Sequence, residues 1–109
     1  MMKIKNNTLF LNGQSITFIH RIRTVMKTPQ GYLVLLDHWK NGSTGHCLYD
    51  NVFMVSEDLA VLWQIKGRKP RAYVDIFFYD NEYHAVDVEG ASTVPDMSNG
   101  IMIREDFVK

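Results

Sequence analysis

Four histidines and one cysteine are the side chains of this sequence best suited to metal binding or nucleophilic attack. Zinc sites place such ligands at characteristic spacings. Here His38 and His46 flank a glycine-rich loop, and His46 directly precedes Cys47, so on a strand these two side chains would point to opposite faces. Neither spacing matches a metal motif, and no signature of a cysteine nucleophile surrounds Cys47. We therefore predict no metal, no cofactor and no catalytic residues.

Acidic residues are concentrated around one predicted hairpin in the second half of the chain. Two carboxylates could act as acid and base in a hydrolase, but Asp80 suits the turn and the others would form a solvated rim beside it. Charged rims also guide protein association. We predict a non-enzymatic protein-binding surface that includes this set and Trp39, an aromatic residue of the kind enriched at binding hot spots. The acidic set comprises Asp75, Asp80, Glu82, Asp87 and Glu89.

A short basic loop provides the alternative site, for nucleic acid or a small ligand. Its charged residues are Lys66, Arg68, Lys69 and Arg71. Tyr73 borders the loop, and Trp39 or Phe77 could stack on bases. However, the formal net charge of the chain is +0, and nearby acids would repel a phosphate backbone. Nucleic acid is therefore the less favoured partner.

Length and composition predict one globular domain that spans residues 1–109. The apolar content of 46% is ordinary for a globular protein and too high for a disordered one. A single cysteine permits no disulfide within the chain, which favours a reducing, cytoplasmic environment. No segment has the apolar length of a membrane span or of a signal peptide. We expect a cytoplasmic protein with no membrane partner.

Turn signals recur along the chain and separate segments rich in β-branched and aromatic residues. Asn12-Gly13 has the sequence of a type I′ hairpin turn, and Pro29 before Gly31 indicates a second turn. Residues 32–36 are apolar on both faces, which is typical of a central, doubly covered strand. The predicted fold is all-β, an antiparallel meander of about eight strands that forms an open barrel or a two-layer sandwich.

The segment from Ser56 to Lys66 fits two structures. Ser56 could cap a helix that ends at Gly67. However, Val61, Trp63 and Ile65 follow the period of a strand. We favour a turn at 56–59 and a strand over 60–66, in which Trp63 packs with Phe53 and Phe77 in the core.

Two short segments, Val52-Phe53-Met54-Val55 and Leu62-Trp63-Gln64-Ile65, resemble a blade hairpin of quinoprotein-type β-propellers. In those blades the turn usually carries Thr-Gly, whereas here Glu57-Asp58-Leu59 replaces it. A second, degenerate copy at residues 83–90 lacks the closing tryptophan. A closed propeller needs at least four blades, more than about eight strands supply.

Residues 50–109 are also similar to small, functionally uncharacterised bacterial proteins built as open β-meanders. Some proteins of this sort act as immunity partners of bacterial toxins. The resemblance implies no catalytic residues. It implies that the chain binds another protein, in the most specific case a toxin that it neutralises by covering the active site.

Overall fold

The computed structural model describes residues 2–38 and 48–107, with only the backbone of residue 107, and it confirms the all-β class. Within these ranges there are eleven strands and no helix, so no helix there could cross a lipid bilayer. The strands are β1 (Met2–Lys5), β2 (Thr8–Leu11), β3 (Gln14–Thr17), β4 (Ile22–Thr28), β5 (Gly31–Leu36), β6 (Val52–Val55), β7 (Val61–Gln64), β8 (Tyr73–Tyr79), β9 (Glu82–Asp87), β10 (Ala91–Pro95) and β11 (Met102–Phe107).

The strands form three antiparallel sheets, and no sheet closes into a barrel over the described residues. The first sheet has the order β1-β2-β3, the middle sheet β4-β5-β6-β7 and the third sheet β11-β10-β9-β8. Three differences explain why the sequence predicted only about eight strands. β1 was not predicted, residues 89–93 predict a turn where β10 begins, and the segment after Asn12-Gly13 divides into β3 and β4.

The middle sheet is covered on both faces, so the sheets stack as a sandwich, as predicted, with a third layer beyond the two expected. On β5, Leu33 and Leu35 face a core shared with the third sheet, which contributes Ile76. The alternate residues Val34 and Leu36 face a core shared with the first sheet. The shortest extent of the molecule, 20 Å, matches three layers spaced about 10 Å apart. The doubly apolar pattern of residues 32–36 is therefore confirmed as that of a central strand.

The segment after Ser56 is a turn and a strand, as the alternating pattern predicted. The Ser56 side chain accepts a hydrogen bond from the Ala60 amide at 3.0 Å, and β7 follows. Trp63 is buried in the core between the middle and third sheets. The predicted packing of Trp63 with Phe53 and Phe77 is wrong. Phe53 packs on the opposite core against Phe18, and Phe77 stacks on His84.

The β2–β3 hairpin has the predicted turn, with φ of 51° at Asn12 and 80° at Gly13. We expect Gly13→Val to lower the free energy of unfolding by about 1–2 kcal/mol, because a β-branched side chain disfavours positive φ. No heavy atom lies within 4 Å of a Cβ built at this position, so the loss would come from the backbone and not from a clash. Ser15→Val on the adjacent strand is the matched control, and urea denaturation of both variants measures the difference. Equal stability of the two variants would contradict the prediction.

Asn51 joins the middle and third sheets through its fully buried side chain. The amide nitrogen donates to the carbonyl oxygens of Leu36 at 2.7 Å and Tyr73 at 2.8 Å. The amide oxygen accepts from the Tyr73 backbone N–H at 2.8 Å. One side chain thus pairs three backbone groups at the point where β5, β6 and β8 meet, and it fixes the third sheet relative to the middle one.

Candidate functional site

The five acidic residues of the predicted surface lie along the whole β8–β9 hairpin and do not form one patch. Asp80 and Glu82 lie at its turn, where Tyr79 pairs with Glu82. Asp87 lies at the other end of β9, opposite Tyr73. At about 3.3 Å per residue, Glu82 and Asp87 are roughly 17 Å apart along the strand. The set therefore spans the length of the hairpin.

Two residues of the predicted sites, the buried Asp87 and the largely covered Arg71, are bonded within the fold. The Asp87 carboxylate accepts hydrogen bonds from the backbone amides of Glu89 at 2.9 Å and Ala91 at 3.0 Å, which closes the β9–β10 turn. It also forms an ion pair with Arg71 at 2.7 Å, and Arg71 pairs in addition with Glu105. Asp87 thus belongs to no exposed acidic surface, and Arg71 to no exposed basic one.

The sequence interpretation did not identify Glu105 as a partner of Arg71. Its neighbours Arg104 and Asp106 are more exposed and bond to each other. Glu105 points to the opposite, buried face of the third sheet. The period of two along a strand carries this signal, because the middle residue of three charged ones must point to the other face. The partner could not be predicted, since Arg71 lies on a distant segment of the chain.

Arg104 holds two carboxylates on the outer face of the third sheet. It donates to both oxygens of Glu82, at 3.0 and 2.8 Å, and to Asp106 at 2.8 Å. These hydrogen bonds to the guanidinium lower the pKa of each carboxyl, Glu82 and Asp106, below the usual value for its residue type. Both carboxylates therefore stay ionised at neutral pH, and the trio carries a net charge of about −1.

His84 lies under this network and lines up with a serine and a carboxylate. Its ring stacks on Phe77, with centroids 4.7 Å apart. Nδ1 lies 3.0 Å from the Ser92 hydroxyl, and Nε2 lies 3.4 Å from the Tyr79 carbonyl and 4.0 Å from Glu82. Because a carbonyl can only accept, Nε2 is the donor in the contact with Tyr79.

These three residue types also occur in nucleophilic triads, but the arrangement here lacks an accessible nucleophile. Ser92 is buried, and Glu82 is engaged by Arg104. The network thus fixes the packing of the outer face and leaves no place for a substrate beside the hydroxyl.

The turn of the β8–β9 hairpin carries two exposed aromatic residues that sequence reasoning did not single out. Phe78 is 52% exposed and Tyr79 is 69% exposed. Asp80 and Asn81 follow with φ of 52° and 62°, as expected for a type I′ turn, so the tip is a tight two-residue loop. We name Phe78, Tyr79, Asp80 and Glu82 the tip patch.

A cleft of about 240 Å³ adjoins the tip patch. The turn between β4 and β5 forms one wall with Pro29 and Gln30, and Tyr83 of the hairpin lies in another wall. Tyr83 also packs against Phe78, with ring centroids 4.7 Å apart. The remaining lining residues are Asn81, Glu82, Val94, Pro95, Met97 and Ile103. The cleft is largely apolar and has an acidic group at its rim, so it suits an apolar or amphipathic side chain.

The basic loop keeps three of its four charges in solvent. Lys66, Arg68 and Lys69 are exposed, and none of them forms an ion pair within the described part of the chain. Tyr73, which borders this loop in the sequence, is fully buried. Phe77, one of the two residues expected to stack on a base, stacks on His84 instead. Glu89 is exposed at the adjacent β9–β10 turn, and Asp75 is exposed on β8.

Trp39, the predicted aromatic anchor, lies outside the described residues. So do His46 and Cys47. Among residues 2–38 and 48–107, no group of three or more His, Cys, Asp or Glu side chains could hold a metal ion.

The fold and this geometry define a class: a three-layer all-β protein with an exposed aromatic and acidic hairpin tip beside a small cleft. The chain belongs to the DUF7957 family, a domain of unknown function, which it matches over residues 1–107. No curated protein and no solved structure matches it. The likeness to propeller blades and to immunity proteins stays a prediction.

Proposed function

We propose that this protein is a non-enzymatic binding module that docks another protein on the tip patch. The observation that carries the proposal is the exposure of two consecutive aromatic residues, Phe78 and Tyr79, at a tight turn next to the cleft. Exposed aromatic residues cost free energy in water unless a partner covers them, and they are enriched at binding hot spots.

The hairpin is suited to this role because it is ordered before binding. The type I′ turn fixes the tip, and Tyr83 supports the Phe78 ring from the neighbouring strand. A partner therefore meets side chains that lose little further conformational entropy, which favours affinity. Tyr79 and Phe78 are consecutive on β8 and point to opposite faces, so a partner that covers both rings would contact the hairpin end on both faces.

Charge at the tip favours a basic partner. Asp80 is exposed and unpaired among the described residues, and the Glu82–Arg104–Asp106 trio adds a further net charge of about −1. Rim charges of this kind act mainly on the association rate. Asp75 and Glu89 lie too far along the hairpin to share the tip, although they extend the acidic character of the same two strands.

In its most specific form, the proposal is an immunity-type protein. The tip patch would then enter or cover the active site of a basic toxin, with an apolar toxin side chain seated in the cleft. Occlusion requires a rigid surface, and the β8–β9 hairpin end, which its tight turn holds in place, provides one. This form is tested by asking whether the gene beside the one for this chain encodes a toxin that this protein binds.

We expect the double variant Phe78→Ala/Tyr79→Ala to weaken binding of the adjacent gene's product by about 100-fold, because loss of a hot-spot residue costs about 2 kcal/mol or more. Biolayer interferometry with the purified pair measures the dissociation constant, and growth of cells expressing the toxin candidate reports neutralisation. Asp80→Lys should mainly slow association and reduce its dependence on salt.

The matched control is Tyr49→Ala, which removes another exposed aromatic ring away from the tip. It should bind as the parent does. If the double variant also binds as the parent does while the Tyr49 variant loses affinity, the interface is elsewhere and the tip patch is not the site.

A further inference from the structure

The outer face of the first sheet has a composition that neither the fold nor the proposed protein-binding role explains. On β1 and β2, Ile4 pairs with Leu9, and Leu9 and Leu11 face the core. The alternate residues therefore face away from the core. One outward row is Lys3, Phe10 and Ser15, and the next is Lys5, Thr8 and Thr17.

This outer face carries an exposed aromatic ring between polar groups. Phe10 is 41% exposed, and its register partner on β1 is Lys3 and on β3 is Ser15. In the next row the hydroxyls of Thr8 and Thr17 lie 3.0 Å apart. A ring flanked by an ammonium group and hydroxyls on an open sheet face is the arrangement that stacks on a base and contacts the sugar and phosphate beside it.

The charge of this face is not neutralised within the described part of the protein. The first acidic residue of the chain is Asp37, so the first sheet has none. Of the five Lys and Arg residues before Asp37, Arg21 and Arg23 pair with Asp37, and Lys27 pairs with Glu57. The two lysines of the outer face, Lys3 and Lys5, have no acidic partner over residues 2–38 and 48–107.

We infer that the outer face of the first sheet binds single-stranded nucleic acid. Phe10 stacks on a base, and Lys3 and Lys5 contact consecutive phosphates. The three strands span about 10 Å across the sheet, and four residues span about 13 Å along a strand. A face of this size has room for two to three nucleotides. Duplexes are disfavoured because their bases are not free to stack on a side chain. The site is separate from the tip patch, which lies on the third sheet, and from the basic loop that follows β7.

Fluorescence anisotropy tests this inference with the full chain and labelled oligo-dT and oligo-rU, each about ten nucleotides long. Two phosphate contacts predict a slope of about −1.4 for log K against log salt, so affinity should fall about 25-fold between 20 and 200 mM salt. Lys3→Glu/Lys5→Glu should abolish binding. Phe10→Leu should weaken it by about tenfold, whereas Phe10→Tyr, which keeps the stacking ring, should stay within about twofold.

Three outcomes would overturn the inference. The first is loss of binding in Lys66→Glu/Arg68→Glu/Lys69→Glu but not in the Lys3 and Lys5 reversal, because this would place the site on the basic loop. The second is equal affinity of the Phe10→Leu and Phe10→Tyr variants, because the tyrosine ring can stack on a base and the leucine side chain cannot. The third is absence of binding at 20 mM salt. If the charge reversals fail to fold by circular dichroism, amide NMR shifts of the parent on oligonucleotide addition decide the site, since residues 3–17 should move most.

Discussion

Asn51→Asp is expected to be among the most destabilising single substitutions in this protein. The exchange keeps the shape of the side chain but replaces the donating NH₂ group by an oxygen. That oxygen would face the carbonyls of Leu36 and Tyr73, which now accept from Asn51 at 2.7 and 2.8 Å. Each buried carbonyl left without a donor costs about 1–3 kcal/mol, so the two together should lower the free energy of unfolding by about 2–6 kcal/mol. Urea denaturation followed by tryptophan fluorescence measures the loss.

Gln64→Glu is the matched control for Asn51→Asp. It makes the same exchange of amide for acid at an exposed side chain that donates to the Asp50 carbonyl at 2.9 Å. Water can replace that bond, so the cost should stay below about 1 kcal/mol. Near-equal losses in the two variants would show that the Asn51 bonds do not join the sheets as the structure indicates.

Trp63→Ala should destabilise the protein by about 3–5 kcal/mol, the range for removal of a large buried aromatic side chain. Trp63 is 8% exposed and lies in the core between the middle and third sheets. Its indole N–H donates to the Met97 carbonyl at 2.9 Å. A Cβ at Gly100 would lie 2.7 Å from Cδ2 of the indole ring, so the backbone of the β10–β11 connection packs directly on it. The substitution therefore removes a hydrogen bond and leaves a cavity at the same time.

Two further variants separate these contributions. Trp63→Phe keeps most of the apolar area but loses the N–H donor, and it should cost less than Trp63→Ala. Leu62→Ala changes the neighbouring residue of β7, which is exposed, and should cost about 0.5 kcal/mol or less. Thermal unfolding by circular dichroism ranks the three variants. If Leu62→Ala lowers the melting temperature as much as Trp63→Ala does, the alternating strand interpretation of this segment is wrong.

The sequence determined the elements that local chemistry controls. Asn12-Gly13 and Asp80-Asn81 are turns in the structure because few residue pairs tolerate two consecutive positive φ angles. The alternation of Val61 and Trp63 selected a strand over a helix. The apolar residues on both faces of β5 indicated a central strand, because only a strand covered on both sides is stable with that pattern.

Two strands were missed because their local signal points to other structures. β1 (Met2–Lys5) alternates lysines with apolar residues over only four positions, which is a weak signal for an edge strand. β10 (Ala91–Pro95) has the small and turn-forming residues of a loop, yet all five of its residues are buried. Its neighbours β9 and β11 supply the hydrogen-bonded ladder that the residue types of β10 do not predict.

The candidate site shows the same division between sequence and tertiary structure. The sequence identified an acidic hairpin, but it could not show that Asp87 is buried beside Arg71 while Phe78 and Tyr79 remain in solvent. Periodicity along a strand reports which residues share a face. It does not report which face another sheet covers, or which distant charge neutralises a carboxylate, because both depend on contacts between segments far apart in the chain. The all-β class and the turns were thus determined by the sequence, whereas the third layer and the exposed surfaces were decided only by how the sheets pack.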